Sequence, residues 1–315
     1  MTTIPRTLLV LFLIAASAIS ATAQPVRPAV RGVAHIAFYV SDLAKTRAFW
    51  TDFLGFQECF TLKNKGSDEV RIAFIKINDN QYVELFAEKP RAGQMLNHIS
   101  FYTDDAEAMR DYLEARQVKV PAKVGKGQTG NKNYNINDPD GNNIEIVEYQ
   151  PDSWTARDKG KFMPPTRISD HIAHVGVMIG NLQPAMDFYH GILGYNEFWR
   201  GTGGTSLAWI NMRVPEGQDY LEFMLYDAMP EPDKRGGKNH LSLTVPDAQK
   251  AVDTLKARPA YQNYGKELTV QIGRNRKRQV NIFDPDGSRV ELMEPGTIDG
   301  KPALSSDAPP PVHSN

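Results

Sequence analysis

The chain has 315 residues, with 36 Lys and Arg against 37 Asp and Glu. Its length leaves room for two globular domains, and its net charge of −1 gives no overall basis for binding nucleic acid or an acidic membrane surface. The only dense basic cluster, residues 274–278, is interpreted as a solvated hairpin tip. Cys59 is the only cysteine, which excludes an internal disulfide.

The N-terminus has the pattern of an export signal. A positive charge at Arg6 precedes an apolar run from Leu8 to about Ile19, and residues 21–23 supply a small-x-small cleavage pattern. We therefore predict a signal peptide over residues 1–23, a mature start at Gln24, and an exported protein, periplasmic or secreted. An uncleaved anchor is the alternative, but the run is short for a membrane-spanning helix, so stable membrane insertion is not expected.

The first half of the chain indicates two units, each with a strand, a helix and further strands. The predicted elements are a strand at 33–40, a helix at 43–54, strands at 70–77 and 81–86, a strand at 96–103, a helix at 106–115 and a strand at 143–148. Alternation along the first strand directs His35 to one face and Ile36 to the other. Ser41 is a candidate helix cap, and Gly55 suits a left-handed C-terminal cap.

The second half repeats this pattern. Its predicted elements include a helix over the apolar residues from Leu182 to Leu193, a strand at 240–245, a helix at 248–257 and a strand at 288–294. Asp-Pro-Asp-Gly occurs at 138 and again at 284, and each tetrad is a tight turn that precedes a strand.

These repeats predict an α+β protein of four βαβββ modules grouped in two pairs. An N-terminal segment, 24–31, precedes a first domain at 32–149 and a second at 170–295. Residues 150–169 are predicted to be a linker, and residues 296–315, rich in Pro, Ser and Asp, a disordered tail.

One His or Glu recurs at a matching place in four strands of each half. The set is His35, Glu84, His98 and Glu145, then His174, Glu222, His240 and Glu291. Four of the seven histidines belong to it, whereas His171, His190 and His313 do not recur. A single strand Glu among apolar neighbours would be costly to bury, so the recurrence calls for a shared explanation. Two imidazoles and two carboxylates suit a divalent transition metal.

The four modules, the Asn-His strand starts and the Asp-Pro-Asp-Gly-x-x-x-Glu endings resemble the vicinal oxygen chelate superfamily. The resemblance covers residues 33 to about 295 and implies that two modules curl into a cup-shaped, incomplete β-barrel around a metal. Within that group the ligand pattern is most similar to glyoxalase I. This likeness implies two sites, formed by the two sets of four side chains.

The resemblance to glyoxalase I also implies a divalent metal (Ni, Co, Zn, Mn or Fe), a small oxygenated substrate and lyase or isomerase chemistry through a metal-stabilised enediolate. Glu145 or Glu291 is then the candidate catalytic base. The export signal would take the chain out of the cytosol, where glutathione adducts form. The resemblance therefore supports this class of chemistry better than it supports a glutathione substrate. Substrate candidates at the cup rim are Lys132, Asn135, Arg278 and Asn281, for which a solvated hairpin is the other interpretation.

Two alternatives remain open. An extradiol-type dioxygenase would use non-haem Fe(II) at His174, His240 and Glu291. However, no His lies between His240 and Glu291, and Asn281 stands where that family has a Tyr. A bleomycin-resistance-like protein would bind a small molecule without catalysis, but those relatives lack the metal ligands. We expect a monomer or homodimer, with module 1 paired with 2 and module 3 with 4 as the simpler arrangement.

Overall fold

A computed structural model describes residues 25–90 and 93–312. The predicted signal peptide and the start at Gln24 lie outside this part of the chain. Two eight-stranded sheets, one from each half, form the architecture. The first contains β1 (Val30–Tyr39), β2 (Gln57–Lys63), β3 (Val70–Lys76), β4 (Tyr82–Phe86), β5 (Leu96–Thr103), β6 (Gly125–Lys126), β7 (Lys132–Asn137) and β8 (Asn143–Glu148).

The second sheet repeats the first element by element. It contains β9 (Ile172–Ile179), β10 (Asn196–Thr202), β11 (Leu207–Arg213), β12 (Tyr220–Leu225), β13 (His240–Thr244), β14 (Gln271–Ile272), β15 (Lys277–Phe283) and β16 (Arg289–Thr297). The helices are α1 (Leu43–Ala48), α2 (Ala106–Ala115), α3 (Trp154–Arg157), α4 (Leu182–Met186), α5 (Pro232–Arg235), α6 (Ala248–Lys256) and α7 (Tyr261–Tyr264).

Strand order confirms the predicted fold class. The first sheet runs β2-β3-β4-β1-β5-β8-β7-β6, and the second runs β10-β11-β12-β9-β13-β16-β15-β14. Each sheet curls into a half-barrel made of two βαβββ modules, so module 1 pairs with module 2 and module 3 with module 4. The four central strands of each sheet are the first and last strands of its two modules.

Helices cover one face of each sheet and leave the other face concave. Ile36 and Phe38 of β1 pack into the main core with Trp50 and Leu54 from the first helical segment. That segment is shorter as an α-helix than predicted, because a π-helical turn at Phe49–Phe53 follows α1. Asp42, rather than Ser41, caps α1 by accepting a hydrogen bond from the Lys45 amide.

The Asp-Pro-Asp-Gly turns join the two domains. Asp140 accepts a hydrogen bond from the amide of Gly180, just after β9, at 3.1 Å. Reciprocally, Asp286 accepts from the amide of Ser41, just after β1, at 2.8 Å, and from the Ser41 hydroxyl. Each turn therefore holds the segment that follows the first strand of the other domain. Because the Ser41 hydroxyl bonds to Asp286, it is not free to cap α1.

The segments predicted as linker and tail contact the domains. Trp154, in the predicted linker, is buried and stacks on Phe60 with ring centroids 4.9 Å apart. In the predicted tail, the Leu304 carbonyl accepts from the Trp199 indole at 3.2 Å, and the Pro309 carbonyl accepts from the Leu207 amide at 2.8 Å. This differs from a disordered tail, because the outer strands β10 and β11 give residues 304–309 backbone and side-chain partners.

No helix within residues 25–90 and 93–312 is long and apolar enough to cross a membrane.

Candidate metal centre

The four central strands of the first sheet bring its predicted ligands to the concave face. They are His35 on β1, Glu84 on β4, His98 on β5 and Glu145 on β8. Ala37 of β1 lies opposite both Glu84 and His98, and Ser100 of β5 lies opposite Glu145. Because side chains alternate along a strand, this register directs all four to the same side. We call this site the first cup.

Ligand atoms in the first cup lie close enough to share one ion. The Nε2 atoms of His35 and His98 are 2.8 Å apart. Glu84 approaches His35 to 3.4 Å, and Glu145 approaches His98 to 3.4 Å. One atom each of His35, His98 and Glu145 falls within 4.8 Å of the others.

Burial of these four ionisable side chains is energetically unfavourable in the absence of a bound cation. Desolvation, followed by the charge of Glu145, raises the pKa of Glu84 well above its usual value. Desolvation also raises the pKa of Glu145, to about 7, against a smaller opposing effect of the Asn133 hydrogen bond. It lowers the pKa of His98 to about 4 and that of His35 well below its usual value. Neutral imidazoles beside carboxyls that are costly to ionise form a donor set that a divalent cation would stabilise.

Two asparagines form hydrogen bonds with ligand residues of the first cup. Asn97 Oδ1 lies 2.9 Å from His98 Nδ1, so it can accept a hydrogen bond from a protonated Nδ1 and leave Nε2 free to bind metal. Asn133 donates to Glu145 Oε1 at 3.2 Å. Sequence reasoning missed Asn133. Alternation with the apolar Tyr134 and Ile136 would have placed it on the concave face.

The second sheet forms a second cup from the equivalent strands. Nε2 of His174 lies 3.2 Å from Nε2 of His240. Glu291 is 3.5 Å from His174, and Glu222 is 3.6 Å from His240. Desolvation and the charge of Glu291 raise the pKa of Glu222 to about 8. Here the three ligand atoms within 4.8 Å belong to His174, Glu222 and His240, rather than to the triad that a dioxygenase would use.

The predicted rim cations do not face the cups. Lys132 pairs with Glu107 of α2 at 2.9 Å, and Arg278 lies 3.4 Å from Glu294. Side chains alternate along a strand, and Lys132 and Arg278 alternate in step with the apolar core residues of their strands. They therefore lie on the helix-covered face of the sheet. We correct these two substrate predictions. The error came from counting back from the turn without regard to strand alternation.

Asn135 and Asn281 occupy strand positions whose side chains are directed to the concave face. They lie opposite Glu145 and Glu291 in the strand register. Asn135 is exposed and donates to Asn143 at 3.1 Å. Oδ1 of Asn281 is buried and has no hydrogen-bond partner among the described residues. Neither asparagine is among the described residues that line the two cup cavities.

A cavity of about 640 Å³ opens onto the four ligands of the first cup. One wall is aromatic and includes Phe74 and Trp154, whose rings are 5.3 Å apart. Sequence reasoning missed Trp154 because it lies in the predicted linker. The cationic side chains that line the cavity are Lys63, Lys65, Arg71 and Lys126, of which Lys63 pairs with Asp68 at 2.7 Å and Lys126 pairs with Asp152 at 2.8 Å.

A third acidic group, Asp105, Glu107 and Glu148, also brings three carboxylates together. It lies at the start of α2 on the convex face, and Lys132 pairs with it. Asp105 accepts from the Ala108 amide and Glu148 from the Ala106 amide, so helix capping accounts for two of the three.

The fold and these two sites fit one superfamily. The family model described as Glyoxalase/Bleomycin resistance protein/Dioxygenase superfamily matches residues 32–146 and 171–292. The chain therefore belongs to this superfamily, as its motifs predict.

Known proteins similar to this chain include one curated sequence and two solved structures. "Uncharacterized protein YaeR" of Escherichia coli (strain K12) is 31% identical over 129 residues, which are 38% of this chain and 97% of YaeR. The 2,3-dioxygenase LapB of Pseudomonas sp. KL28 is 19% identical with a TM-score of 0.61, covering 89% of this chain and 98% of LapB. The Mn(II)-bound glyoxalase of Novosphingobium aromaticivorans is 16% identical with a TM-score of 0.62, covering 91% and 88%. At these identities the two structures show the fold alone.

Metal-free protein should lose stability as the pH rises from 7.5 to 9. In this range the cup histidines are neutral in the folded chain, because burial lowers their pKa values, and they are also neutral in the unfolded chain, where a histidine titrates at about 6.5. Glu145 and Glu222 are already ionised when unfolded, but in the folded protein they are still losing protons, with pKa values of about 7 and 8. The expected loss is on the order of 1 kcal/mol. Urea unfolding in the presence of a chelator measures it.

The double variant Glu145→Gln with Glu222→Gln should flatten this pH dependence. Glu107→Gln, which changes an exposed carboxylate, is the matched control and should keep the wild-type slope. Stability that rises over this interval, or a slope unchanged in the double variant, would contradict the assignment.

Proposed function

We propose that the protein is a divalent-metal-dependent enzyme that moves a proton at a carbon next to substrate oxygens, in the manner of a glyoxalase I-like isomerase or lyase. The observation that supports this most is the first cup, where two neutral imidazoles and two carboxylates meet at the floor of an open cavity. A binding protein without catalysis would not need four buried ionisable side chains at that floor.

The four residues of the first cup would have different roles in metal binding and catalysis. His35 and His98 supply Nε2 donors, and Glu84 and Glu145 supply carboxylate oxygens and balance the charge. A divalent metal held here would polarise neighbouring substrate oxygens and stabilise the negative charge that develops on them. Glu145 is our proposed base, because Asn133 holds Oε1 while Oε2 faces the ligand cluster. In the metal-free site, desolvation raises the pKa of Glu145 to about 7.

The cavity lining supports a small anionic substrate with an apolar part. Arg71 lines the cavity, and the carboxylates among the described lining residues are Glu84 and Glu145 of the ligand set. Arg71 donates to Gln128, another lining residue, at 3.2 Å. Phe74 and Trp154 offer an apolar surface to the rest of the substrate.

A dioxygenase is the second candidate function. One observation favours it: His35, His98 and Glu145 form a compact set of two histidines and one carboxylate in the first cup. Such a triad suits Fe(II) and oxygen. The position of Glu84, 3.4 Å from His35, adds a fourth ligand that this chemistry does not use. Oxygen uptake with catechols and ferrous iron would support the dioxygenase over the isomerase.

The exported location is also a proposal. It depends on residues 1–23 and would place the substrate outside the cytosol.

Proton exchange tests the proposed chemistry directly. Metal-loaded protein should incorporate solvent deuterium next to the carbonyl of 2-hydroxy-carbonyl compounds that carry a carboxylate. Glu145→Gln should slow incorporation by about 10²–10⁴-fold, because the base is lost. Mass spectrometry of the substrate is the measurement, and metal content measured in parallel separates loss of base from loss of metal.

Glu107→Gln is the control for this experiment and should exchange at the wild-type rate. No deuterium incorporation with any compound of this class, in protein that holds its metal, would contradict the isomerase proposal.

Arg71→Gln should raise KM for the anionic substrate by about tenfold and change kcat little. The loss corresponds to about 1.4 kcal/mol, a reasonable size for one solvent-accessible charged contact. Steady-state kinetics with a substrate and its uncharged amide analogue is the measurement. Lys45→Gln on α1 is the control, and an equal effect of Arg71→Gln on both compounds would contradict a role in recognising the anion.

A further inference from the structure

We infer that the two cups have diverged: the first holds a metal ion, whereas the second carries a cation of its own, the guanidinium of Arg289, and excludes metal. The part that concerns the first cup rests on the proposed function. The part that concerns the second cup rests on hydrogen bonding, packing and charge around His240.

His240 is held in a hydrogen bond that opposes metal binding. Nη2 of Arg289 is in hydrogen-bond contact with Nδ1 of His240. A guanidinium is always protonated and only donates, so Nδ1 must be the acceptor. The proton of the neutral ring then belongs on Nε2, the atom that faces His174. A protonated Nε2 has no lone pair for a metal.

His98 in the first cup has the opposite arrangement. Its Nδ1 faces the Oδ1 acceptor of Asn97, so Nε2 keeps its lone pair. The equivalent asparagine in the second cup is Asn239, but its Oδ1 accepts from the Met178 amide at 2.9 Å. The Lys238 carbonyl lies 3.2 Å from His240 Nδ1, yet Arg289 also donates to that carbonyl, at 3.3 Å.

Two sequence differences build this arrangement. Position 143 is Asn in the first domain, and its equivalent in the second is Arg289, as the Asp-Pro-Asp-Gly turns align. Ala37 lies opposite His98, whereas Gly176 lies opposite His240. A Cβ at Gly176 would lie 1.9 Å from Cε1 of His240, so the ring occupies space that an alanine would fill. The glycine therefore permits the ring position that meets Arg289.

Charge in the second cup also disfavours a divalent ion. Arg289 and Lys277 act on Glu291, where their positive charges oppose the effect of desolvation on its pKa. Two cations therefore act on Glu291, whereas in the first cup the cation that acts on Glu84 is Arg71. A divalent ion in the second cup would meet the repulsion of Arg289 and Lys277 as well as losing a ligand.

The histidines of the second cup are also less accessible from its cavity than those of the first cup. Both histidines line the cavity of the first cup. The second cup has a cavity of about 320 Å³ lined by Glu222, Glu291 and Arg289, but His174 and His240 are not among its described lining residues. Both of those histidines are 0% exposed. His174 Nδ1 is buried and has no hydrogen-bond partner in the described part of the chain.

Metal stoichiometry of the full chain tests the inference. Metal-depleted protein is titrated with Mn²⁺, with free ion followed by electron paramagnetic resonance and bound ion by elemental analysis. Wild type should bind one equivalent tightly, and Arg289→Asn, which restores the first-cup residue, should bind two. Arg278→Asn is the matched control: it removes an arginine from neighbouring β15 that faces Glu294, and should still bind one.

A second readout needs neither metal nor activity. Long-range ¹H–¹⁵N spectra of ¹⁵N-histidine-labelled protein report which ring nitrogen carries the proton. In metal-free wild type, His240 should be protonated on Nε2 and His98 on Nδ1, with His240→Ala and His98→Ala variants assigning the signals. A proton on Nδ1 of His240 would overturn the inference.

The stoichiometry separates the two proposals. Two equivalents of equal affinity in wild type, or one equivalent in folded Arg289→Asn, would overturn the inference and leave the metal-dependent function standing. No tightly bound ion in wild type would overturn the proposed function itself. If Arg289→Asn does not fold, His98→Ala should lose the ion and His240→Ala should keep it. The reverse result would overturn the inference.

Discussion

The structure depends on how four buried ionisable side chains are compensated in each cup. Desolvation favours the neutral forms of His35, His98, Glu84 and Glu145, and the two carboxylates also repel each other. Because their four strands are adjacent in the sheet, the four side chains cannot move apart unless the strand register is lost. A cation is the simplest solution, and the first cup is open to a bound ion, whereas the second has Arg289.

Because the domain is duplicated, each cup can compensate its buried ionisable side chains in a different way. Asp140 and Asp286 make reciprocal contacts across the domain interface, so both turns preserve the relation between the halves. The cups themselves are free of that constraint. Exchanging Ala37 for Gly176 and Asn143 for Arg289 changes the partner of one histidine without changing any of the eight recurring His and Glu residues. A ligand pattern alone therefore does not show that a site binds metal.

Sequence patterns predicted much of this molecule because they are local or repeated. The bounds of α2 and of β5 and β8 agree with prediction, since apolar spacing and turn residues define them. The eight His and Glu residues were found because recurrence separates them from isolated ones. Lys132 and Arg278 were misplaced because position relative to a turn does not give the face of a strand. The position of Trp154 beside the first cup and the contact of Arg289 with His240 depend on folding, which brings together segments that are separate in the sequence.

Anomalous scattering from crystals of the full chain soaked in Mn²⁺ tests the central claim most directly. Data collected at the manganese edge should show one strong peak between the Nε2 atoms of His35 and His98 and the carboxylates of Glu84 and Glu145. The second cup should show no comparable peak. An empty first cup, or a peak confined to the side chains around His240, would contradict the account.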